Sequence, residues 1–152
     1  KDQFNVDLLI ISGGNDLVKF KKNKKNKIRE EITKYFYSKG INKNIPILGI
    51  CYGAQFIAEH FNCKLEMKKH INNYYINLNY FKKQKKILVN SFHNYVITKL
   101  GKDLVNLAQA NDDTIECFKH KRRKILGLMW HPERNRKISK IDIKIIKSIL
   151  CN

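Results

Sequence analysis

The chain has 152 residues and a formal net charge of +18, from 31 Lys and Arg against 13 Asp and Glu. Because 43% of the residues are hydrophobic and 11% are aromatic, the chain can build one folded core, which excludes a disordered polypeptide. The longest apolar runs have the length of strands, well short of the ~18 residues of a membrane span, and no apolar signal segment follows Lys1. We therefore expect a single cytoplasmic domain over residues 1–152.

The basic residues are mostly lysines spread along the whole chain, with local runs at 19–27, 82–86 and 119–124. None of these runs is interleaved with the aromatic side chains that would stack on bases. Such runs are most typical of solvated faces. A substrate that is an anion, such as a nucleotide, is the next interpretation, and nucleic acid is the least expected partner.

In chain order, residues 6–11 form a β-rich run that stops at Ser12-Gly13-Gly14 and predicts a buried strand. Apolar residues at helical spacing then predict an amphipathic helix from about 26 to 38. A second short strand is predicted at 46–50, and a helix over 52–61 follows it directly.

The middle of the chain is richer in strand patterns. Strands are predicted at 74–81, 87–89, 92–97, 104–110 and 114–119, with a turn at 111–113. A last strand is predicted at 125–130 and a closing helix at 139–150. Strands that alternate with helices, together with an antiparallel middle, predict an α/β sheet with a small β insertion.

Gly49-Ile50-Cys51-Tyr52-Gly53 has the spacing of a nucleophile elbow, with Cys in place of Ser. The two glycines would let a strand reverse into a helix where the two pass closely. The turn would present the thiol near the helix N-terminus, where the partial positive charge favours the thiolate. A free cysteine is more often a small buried hydrophobe, but the paired glycines and the change from strand to helix favour a nucleophile.

Among the five histidines, His131 has the best setting for a general base, because it follows a predicted strand and precedes Pro132 and Glu133. A cysteine nucleophile needs a base, and the base benefits from an acid that orients it. Because the C-terminal ends of parallel strands meet at one edge of a sheet, we expect His131 to face Cys51. Taken alone, His131 is equally typical of a surface histidine beside a turn.

Gly13-Gly14 ends the first predicted strand at the same edge of the sheet. Glycines there allow backbone N–H groups to point at a developing oxyanion. Alone they indicate a loop, but their place at this edge predicts an oxyanion hole formed by the N–H groups of Gly14 and Tyr52.

These segments together resemble the class I glutamine amidotransferase family. The resemblance rests on three ordered blocks: 11–14 with the oxyanion loop, 48–55 with the nucleophile block and 129–133 with the His-Pro-Glu block. It implies a flavodoxin-like open sheet that is mostly parallel and flanked by helices. It also implies that the family's N-terminal strand–helix–strand unit is absent before Ser12.

The resemblance assigns roles to individual residues. Cys51 would be the nucleophile, His131 the base and then the acid, and Glu133 the group that orients His131. Gln55 would bind the α-amino and α-carboxylate end of the glutamyl group. The full implied set of substrate-binding residues is Gly13, Gln55, Ser91, Phe92 and His93. One departure is Tyr52, which stands where the relatives carry Arg.

Residues 90–94 and 130–134 further resemble the free-standing γ-glutamyl hydrolases of peptidase family C26. Residues 112–121 favour, within that group, the enzymes that hydrolyse γ-glutamyl-CDP-amidate in capsule biosynthesis. The implied reaction is cysteine-dependent hydrolysis of a γ-glutamyl amide with release of glutamate. The surplus of Lys and Arg would suit a nucleotide leaving group.

No cofactor is expected, and the four cysteines predict neither a zinc site nor a disulfide framework, because they form no Cys-x-x-Cys pair. Two other functions stay open. The chain could be a glutaminase subunit that passes ammonia to a synthase partner, or a non-catalytic domain with a basic binding face. The retained Cys51, His131 and Glu133 argue against the second of these.

Overall fold

A computed structural model of the protein describes residues 4–80 and 83–150. Within them, seven strands form one sheet in the order β1–β2–β7–β6–β4–β3–β5. The strands are β1 (Leu9–Ile11), β2 (Ile47–Ile50), β3 (Lys64–Tyr80), β4 (Lys83–Lys99), β5 (Leu104–Ala110), β6 (Ile115–His120) and β7 (Ile125–Leu128). The helices are α1 (Lys24–Asn42), α2 (Tyr52–His60) and α3 (Lys140–Lys147), and a 3-10 turn covers Pro132–Arg134.

The parallel part of the sheet consists of β1, β2 and β7. β2 lies between the other two strands and pairs with both in parallel. Every residue of β2 and of β7 is buried, as expected for strands that are covered on both faces. Buried apolar side chains form two hydrophobic clusters, one on each face of the sheet. Ile47 belongs to one of them and Leu48 to the other. The C-terminal ends of the three strands share one edge, which places the residues after Ile11, Ile50 and Leu128 together.

The expectation of a mostly parallel sheet is not confirmed, because the remaining pairings described are antiparallel. The three strands predicted between 74 and 97 are two strands of 17 residues each, and β3 begins ten residues earlier than expected. β3 pairs with β4 and β5, while β6 pairs with β4 and β5, so these four strands close into a barrel-like ring. Antiparallel neighbours need only tight turns between them, so consecutive strands pair without crossover helices. Phe81, the end of one predicted strand, lies outside the described residues.

Helix α1 does not bury the apolar side chains that predicted it. Ile28, Ile32 and Tyr35 are 47%, 53% and 55% exposed, whereas Tyr37 and Gly40 are buried. Strand β1 is the edge of the sheet, so no further strand among the described residues covers this side of the helix. Helix α2 agrees with expectation, since Ala54, Ile57 and Ala58 are buried, whereas α3 buries only Ile145 among its isoleucines.

Within residues 4–80 and 83–150, no helix is both long and apolar enough to cross a membrane.

Candidate active site

Cys51 occupies the turn between β2 and α2, with a φ of 49° and a ψ of −101°. A positive φ is rare for a residue with a side chain and stores strain of about 1–3 kcal/mol. The neighbouring glycines make the turn possible. A Cβ on Gly49 would lie 2.6 Å from the carbonyl carbon and oxygen of Gly53, and a Cβ on Gly53 would lie 2.0 Å from the carbonyl oxygen of Ile11. The sequence-based expectation of a close approach between strand and helix is therefore confirmed.

Burial and backbone N–H groups act in opposite directions on the Cys51 thiol. Cys51 is 3% exposed, and its burial raises the pKa of the thiol to about 11. Hydrogen bonds from the backbone N–H groups of Tyr52 and Gly14 to the sulfur favour the thiolate but offset only part of this rise. The expectation that the helix N-terminus favours the thiolate is thus outweighed by burial. Both predicted oxyanion donors nevertheless converge on the sulfur.

His131 follows β7 closely, and its side chain is nearly fully buried. Its Nδ1 lies 2.6 Å from Oε1 of Glu133, a contact in which the ring nitrogen donates to the carboxylate. Burial lowers the pKa of His131, and the hydrogen bond to Glu133 offsets part of the effect. The ring is therefore neutral near pH 7, with a lone pair on Nε2. That nitrogen is buried and has no hydrogen-bond partner among the described residues.

The side chains of Cys51 and His131 meet around Gly13. A Cβ built on Gly13 would lie 3.5 Å from Cβ of Cys51 and 2.5 Å from Cε1 of His131, so those two atoms are no further apart than 6.0 Å, the sum of the two distances. A base, a thiol and two N–H donors therefore share one small space. This arrangement places an imidazole with an unpartnered Nε2 near the thiol and two N–H donors beside the sulfur, which are the groups that thiol-based acyl transfer requires.

Asn90, on β4, brackets the backbone of His131 from both sides. Its Oδ1 accepts the His131 N–H at 2.8 Å, and its Nδ2 donates to the His131 carbonyl at 2.8 Å. Asn90 falls in one of the segments that resemble the family, but the sequence alone gave it no role. The resemblance of that segment was the only indication that Asn90 contributes to the site. Its contact with His131 joins residues far apart in the chain, which a local pattern does not reveal.

Arg29, on α1, is a second contributor that the sequence did not indicate. Its Nη2 donates to the carbonyl oxygens of Ser12 and Gly13, both at 2.8 Å. The guanidinium carbon also lies 4.3 Å from the centre of the Tyr52 ring. One side chain thus contacts both segments that carry the predicted oxyanion donors. The aromatic face comes from Tyr52, the residue that departs from the family pattern.

A polar cavity of about 330 Å³ adjoins Cys51. Three of the predicted substrate-binding residues line it, together with Gly14, Asp16 and Lys21; these three are Gln55, Phe92 and His93. Gln55 is fixed by a hydrogen bond from its Nε2 to the Tyr95 carbonyl at 2.9 Å. The cavity is thus lined by one acidic residue, Asp16, and one lysine, Lys21, together with Cys51.

Ser91 is not among the residues that line this cavity. Its hydroxyl donates to the His70 carbonyl at 3.2 Å and accepts from the Tyr74 hydroxyl at 3.4 Å. Phe92 beside it is 46% exposed, with its ring 6.1 Å from the His131 ring. The structure therefore brings together Cys51, His131 and the other predicted residues, but it directs the Ser91 side chain elsewhere.

Residues 1–146 match the family described as glutamine amidotransferase class-I. The chain is 43% identical over 139 residues to the γ-glutamyl-CDP-amidate hydrolase of Campylobacter jejuni, a match that covers 91% of this chain and 68% of that protein. It is 29% identical to a subunit of the glutamine-hydrolyzing GMP synthase of Picrophilus torridus, over 86% of this chain and 69% of that protein.

Solved structures show the same fold. A Thermoplasma acidophilum protein described as a GMP synthase subunit superposes with a TM-score of 0.76 at 25% identity, covering 97% of this chain and 72% of that one. A glutamine amidotransferase from Thermotoga maritima gives a TM-score of 0.70 at 17% identity, covering 93% and 61% of the two chains.

Proposed function

The chain belongs to the class I glutamine amidotransferase family, and from this premise we propose that Cys51 is the nucleophile in the hydrolysis of a γ-glutamyl amide. His131 serves as its base and Glu133 orients His131. One observation carries the proposal: the side chains of Cys51 and His131 flank Gly13, while the N–H groups of Gly14 and Tyr52 point at the sulfur.

The reaction begins from a neutral thiol and a neutral imidazole. His131 Nε2 takes the thiol proton as the sulfur attacks the γ-carbonyl carbon, and the N–H groups of Gly14 and Tyr52 hold the resulting oxyanion. The imidazolium, held by Glu133, then protonates the leaving nitrogen and a thioester forms. Water that gives its proton to His131 attacks the thioester, which releases glutamate and restores the thiol.

The cavity suits a glutamyl group. Asp16 and Lys21 supply opposite charges that match the α-amino and α-carboxylate groups, and Gln55 shares the same lining with Cys51. Gly13, Phe92 and His93 complete the proposed substrate-binding set. For Ser91 we propose a contact with substrate through the backbone alone, because its hydroxyl donates a hydrogen bond to the His70 carbonyl.

We further propose that the leaving group is a nucleoside diphosphate amidate, as in γ-glutamyl-CDP-amidate, and that the protein is a free-standing hydrolase of the peptidase C26 type in surface-polysaccharide biosynthesis. The 43% identity to the Campylobacter jejuni hydrolase supports this choice. The net charge of +18 favours an anionic substrate.

The test is a panel of γ-glutamyl compounds, including glutamine, γ-glutamyl-γ-aminobutyrate and γ-glutamyl-CDP-amidate, assayed for released glutamate. We expect the nucleotide amidate to give the highest kcat/KM, and Cys51→Ala to lose turnover of every compound. Mass spectrometry of the intact protein should show a glutamyl adduct on wild type that Cys51→Ala lacks. Undiminished turnover by Cys51→Ala would refute the proposal.

A glutaminase component that delivers ammonia to a synthase is the second candidate, favoured by the match to the GMP synthase subunit of Picrophilus torridus. Such a protein would be nearly inactive alone and would be activated by its partner. Activity of the isolated chain on a γ-glutamyl amide therefore distinguishes the two.

We also propose that residues 1–152 act as one domain in the cytoplasm. The family match over residues 1–146 supports the single domain. The described cysteines Cys51, Cys63 and Cys117 are free thiols, which is usual in a reducing compartment.

A further inference from the structure

Three ionisable side chains meet on the antiparallel strands behind the catalytic cavity. His70 on β3 is the cross-strand partner of His93 on β4, and Glu116 on β6 lies against both. One ligand atom from each of the three lies within 4.8 Å of those of the other two. We propose that His70, His93 and Glu116 bind a divalent transition-metal ion, zinc(II) by preference.

Two of the three ligands carry buried polar atoms that lack a hydrogen-bond partner among the described residues. His93 is 4% exposed, and neither of its ring nitrogens has a hydrogen-bond partner in the described part of the chain. Glu116 is fully buried, and its Oε2 also lacks a partner there. Buried polar groups are nearly always satisfied. An ion between the imidazole and the carboxylate would satisfy both.

The setting of His70 also favours metal binding. Its Nε2 lies 2.9 Å from Oδ2 of Asp112, which also pairs with Lys68. With Nε2 donating to Asp112, Nδ1 accepts from the Tyr74 hydroxyl at 2.9 Å, and a metal ion on the side that faces Glu116 would replace this hydrogen bond. Histidines that bind metals commonly donate their other N–H to a carboxylate in this way.

Geometry and donor type fit zinc. His70 Nδ1 lies 3.3 Å from Glu116 Oε1, and His93 Nε2 lies 3.8 Å from Glu116 Oε2. Ligands at about 2.0–2.2 Å from a tetrahedral zinc ion are roughly 3.3–3.6 Å apart, so ligand atoms that lie as much as 4.8 Å apart in the cluster would have to move closer by about 1 Å. Two imidazoles and one carboxylate suit zinc, whereas calcium and magnesium prefer oxygen ligands alone.

A metal site here departs from the sequence-based expectation of no metal. That expectation rested on the spacing of cysteines, which does not test a histidine and carboxylate site whose ligands come from three separate strands. The proposed ion would tie β3, β4 and β6 together beside the cavity, which His93 also lines. Asn90, which holds His131, lies on the same strand as His93.

The experiment is a zinc and cobalt(II) titration of the EDTA-treated chain in a Cys51→Ser background, since the thiol of Cys51 could itself bind zinc. We expect one tight equivalent by mass spectrometry and calorimetry, and a cobalt absorption band typical of four or five ligands. His70→Ala and Glu116→Gln should each weaken zinc binding by about 100-fold or more. His60→Ala is the matched control, because His60 is exposed on α2 outside the cluster.

His70 is the variant of choice, because its side chain, at 11% exposed, is the least buried of the three ligands. Circular dichroism would verify that both variants fold. The metal site would be refuted if folded His70→Ala still bound one equivalent of zinc tightly, or if the Cys51→Ser protein bound none. The cluster would then be an ion pair between histidine and glutamate. The measurement uses no substrate, so its outcome is independent of the proposed hydrolase activity.

Discussion

At the scale of single residues, the thiol of Cys51 is surrounded by groups that oppose one another. Burial and the Glu133 carboxylate disfavour the thiolate, whereas the N–H groups of Tyr52 and Gly14 and the Arg134 guanidinium favour it. The balance leaves the pKa at about 11, above the ordinary value of 9.0. In the absence of substrate, the thiolate is therefore a minor species at neutral pH. In the proposed reaction, the thiolate forms only as His131 takes the proton.

This balance predicts how alkylation of Cys51 depends on pH. Because the pKa is raised, the thiolate fraction near pH 7 is only about 10⁻⁴ and grows about tenfold for each pH unit. The iodoacetamide rate at Cys51, followed by peptide mass spectrometry, should rise steadily from pH 7 to 10 with a midpoint above 10. A Cys51→Ser sample corrects for the other thiols. A plateau below pH 8 would show instead that a thiolate–imidazolium pair is present at rest.

Arg29 gives a second prediction at this scale. Because its guanidinium holds the Ser12 and Gly13 carbonyls and lies over the Tyr52 ring, Arg29→Ala should misalign the proposed oxyanion donors. Loss of a whole donor costs about 10²–10³ in kcat, so we expect a fall of about 10- to 100-fold with a smaller change in KM.

Lys27→Ala provides the control for Arg29, since Lys27 is exposed on the same helix. It should leave kcat unchanged. Arg29→Lys keeps the charge but not the planar pair of donors, and we expect only partial recovery. If Arg29→Ala matched wild type in kcat, the positioning role would be wrong.

At the scale of elements, the close approach of α2 to the sheet depends on the absence of a side chain at Gly53. An added methyl group would lie 2.0 Å from the Ile11 carbonyl oxygen, which is backbone and cannot rotate away. Gly53→Ala should therefore push α2 from β1 and lower the free energy of unfolding by about 3 kcal/mol. Urea denaturation would measure this, and activity should fall as Cys51 moves.

Gly40→Ala is the matched substitution in a helix. There the methyl group would meet the ends of the Ile47 and Leu9 side chains at 3.2 Å, which can adjust by small rotations. Since alanine favours a helix by about 1 kcal/mol over glycine, the unfolding free energy should change little. Equal losses in the two variants would contradict the importance of the backbone contact at Gly53.

At the scale of the whole molecule, the parallel strands and the antiparallel ring contribute different residues to the proposed site. The parallel strands bring the segments after Ile11, Ile50 and Leu128 to one edge, where the proposed nucleophile, base and oxyanion donors lie. The antiparallel ring supplies the cavity wall through β4, together with Asn90 behind His131. The pairing of β6 with β7 joins the two parts. A shift in its register would separate the cavity wall from Cys51 and His131.

The sequence by itself determined the features that depend on local chain chemistry. Gly49 and Gly53 around Cys51 predicted a tight turn from strand to helix because the close contact of Gly49 with Gly53 lies within five residues, although the contact of Gly53 with Ile11 comes from a neighbouring strand. The positions of His131, Glu133 and Gly14 after strands predicted a shared edge, because parallel strands impose it. The family followed from the same three segments.

Only the tertiary structure decided the properties that depend on distances between remote residues. The raised pKa of Cys51 reflects burial by the whole fold, and the contacts of Asn90 and Arg29 join distant parts of the chain. The exposure of the apolar face of α1 could not be predicted for the same reason. Periodicity identifies an apolar face of a helix but not the element that covers it. The long antiparallel strands were missed since pairing between strands, rather than local pattern, sets where a strand begins and ends.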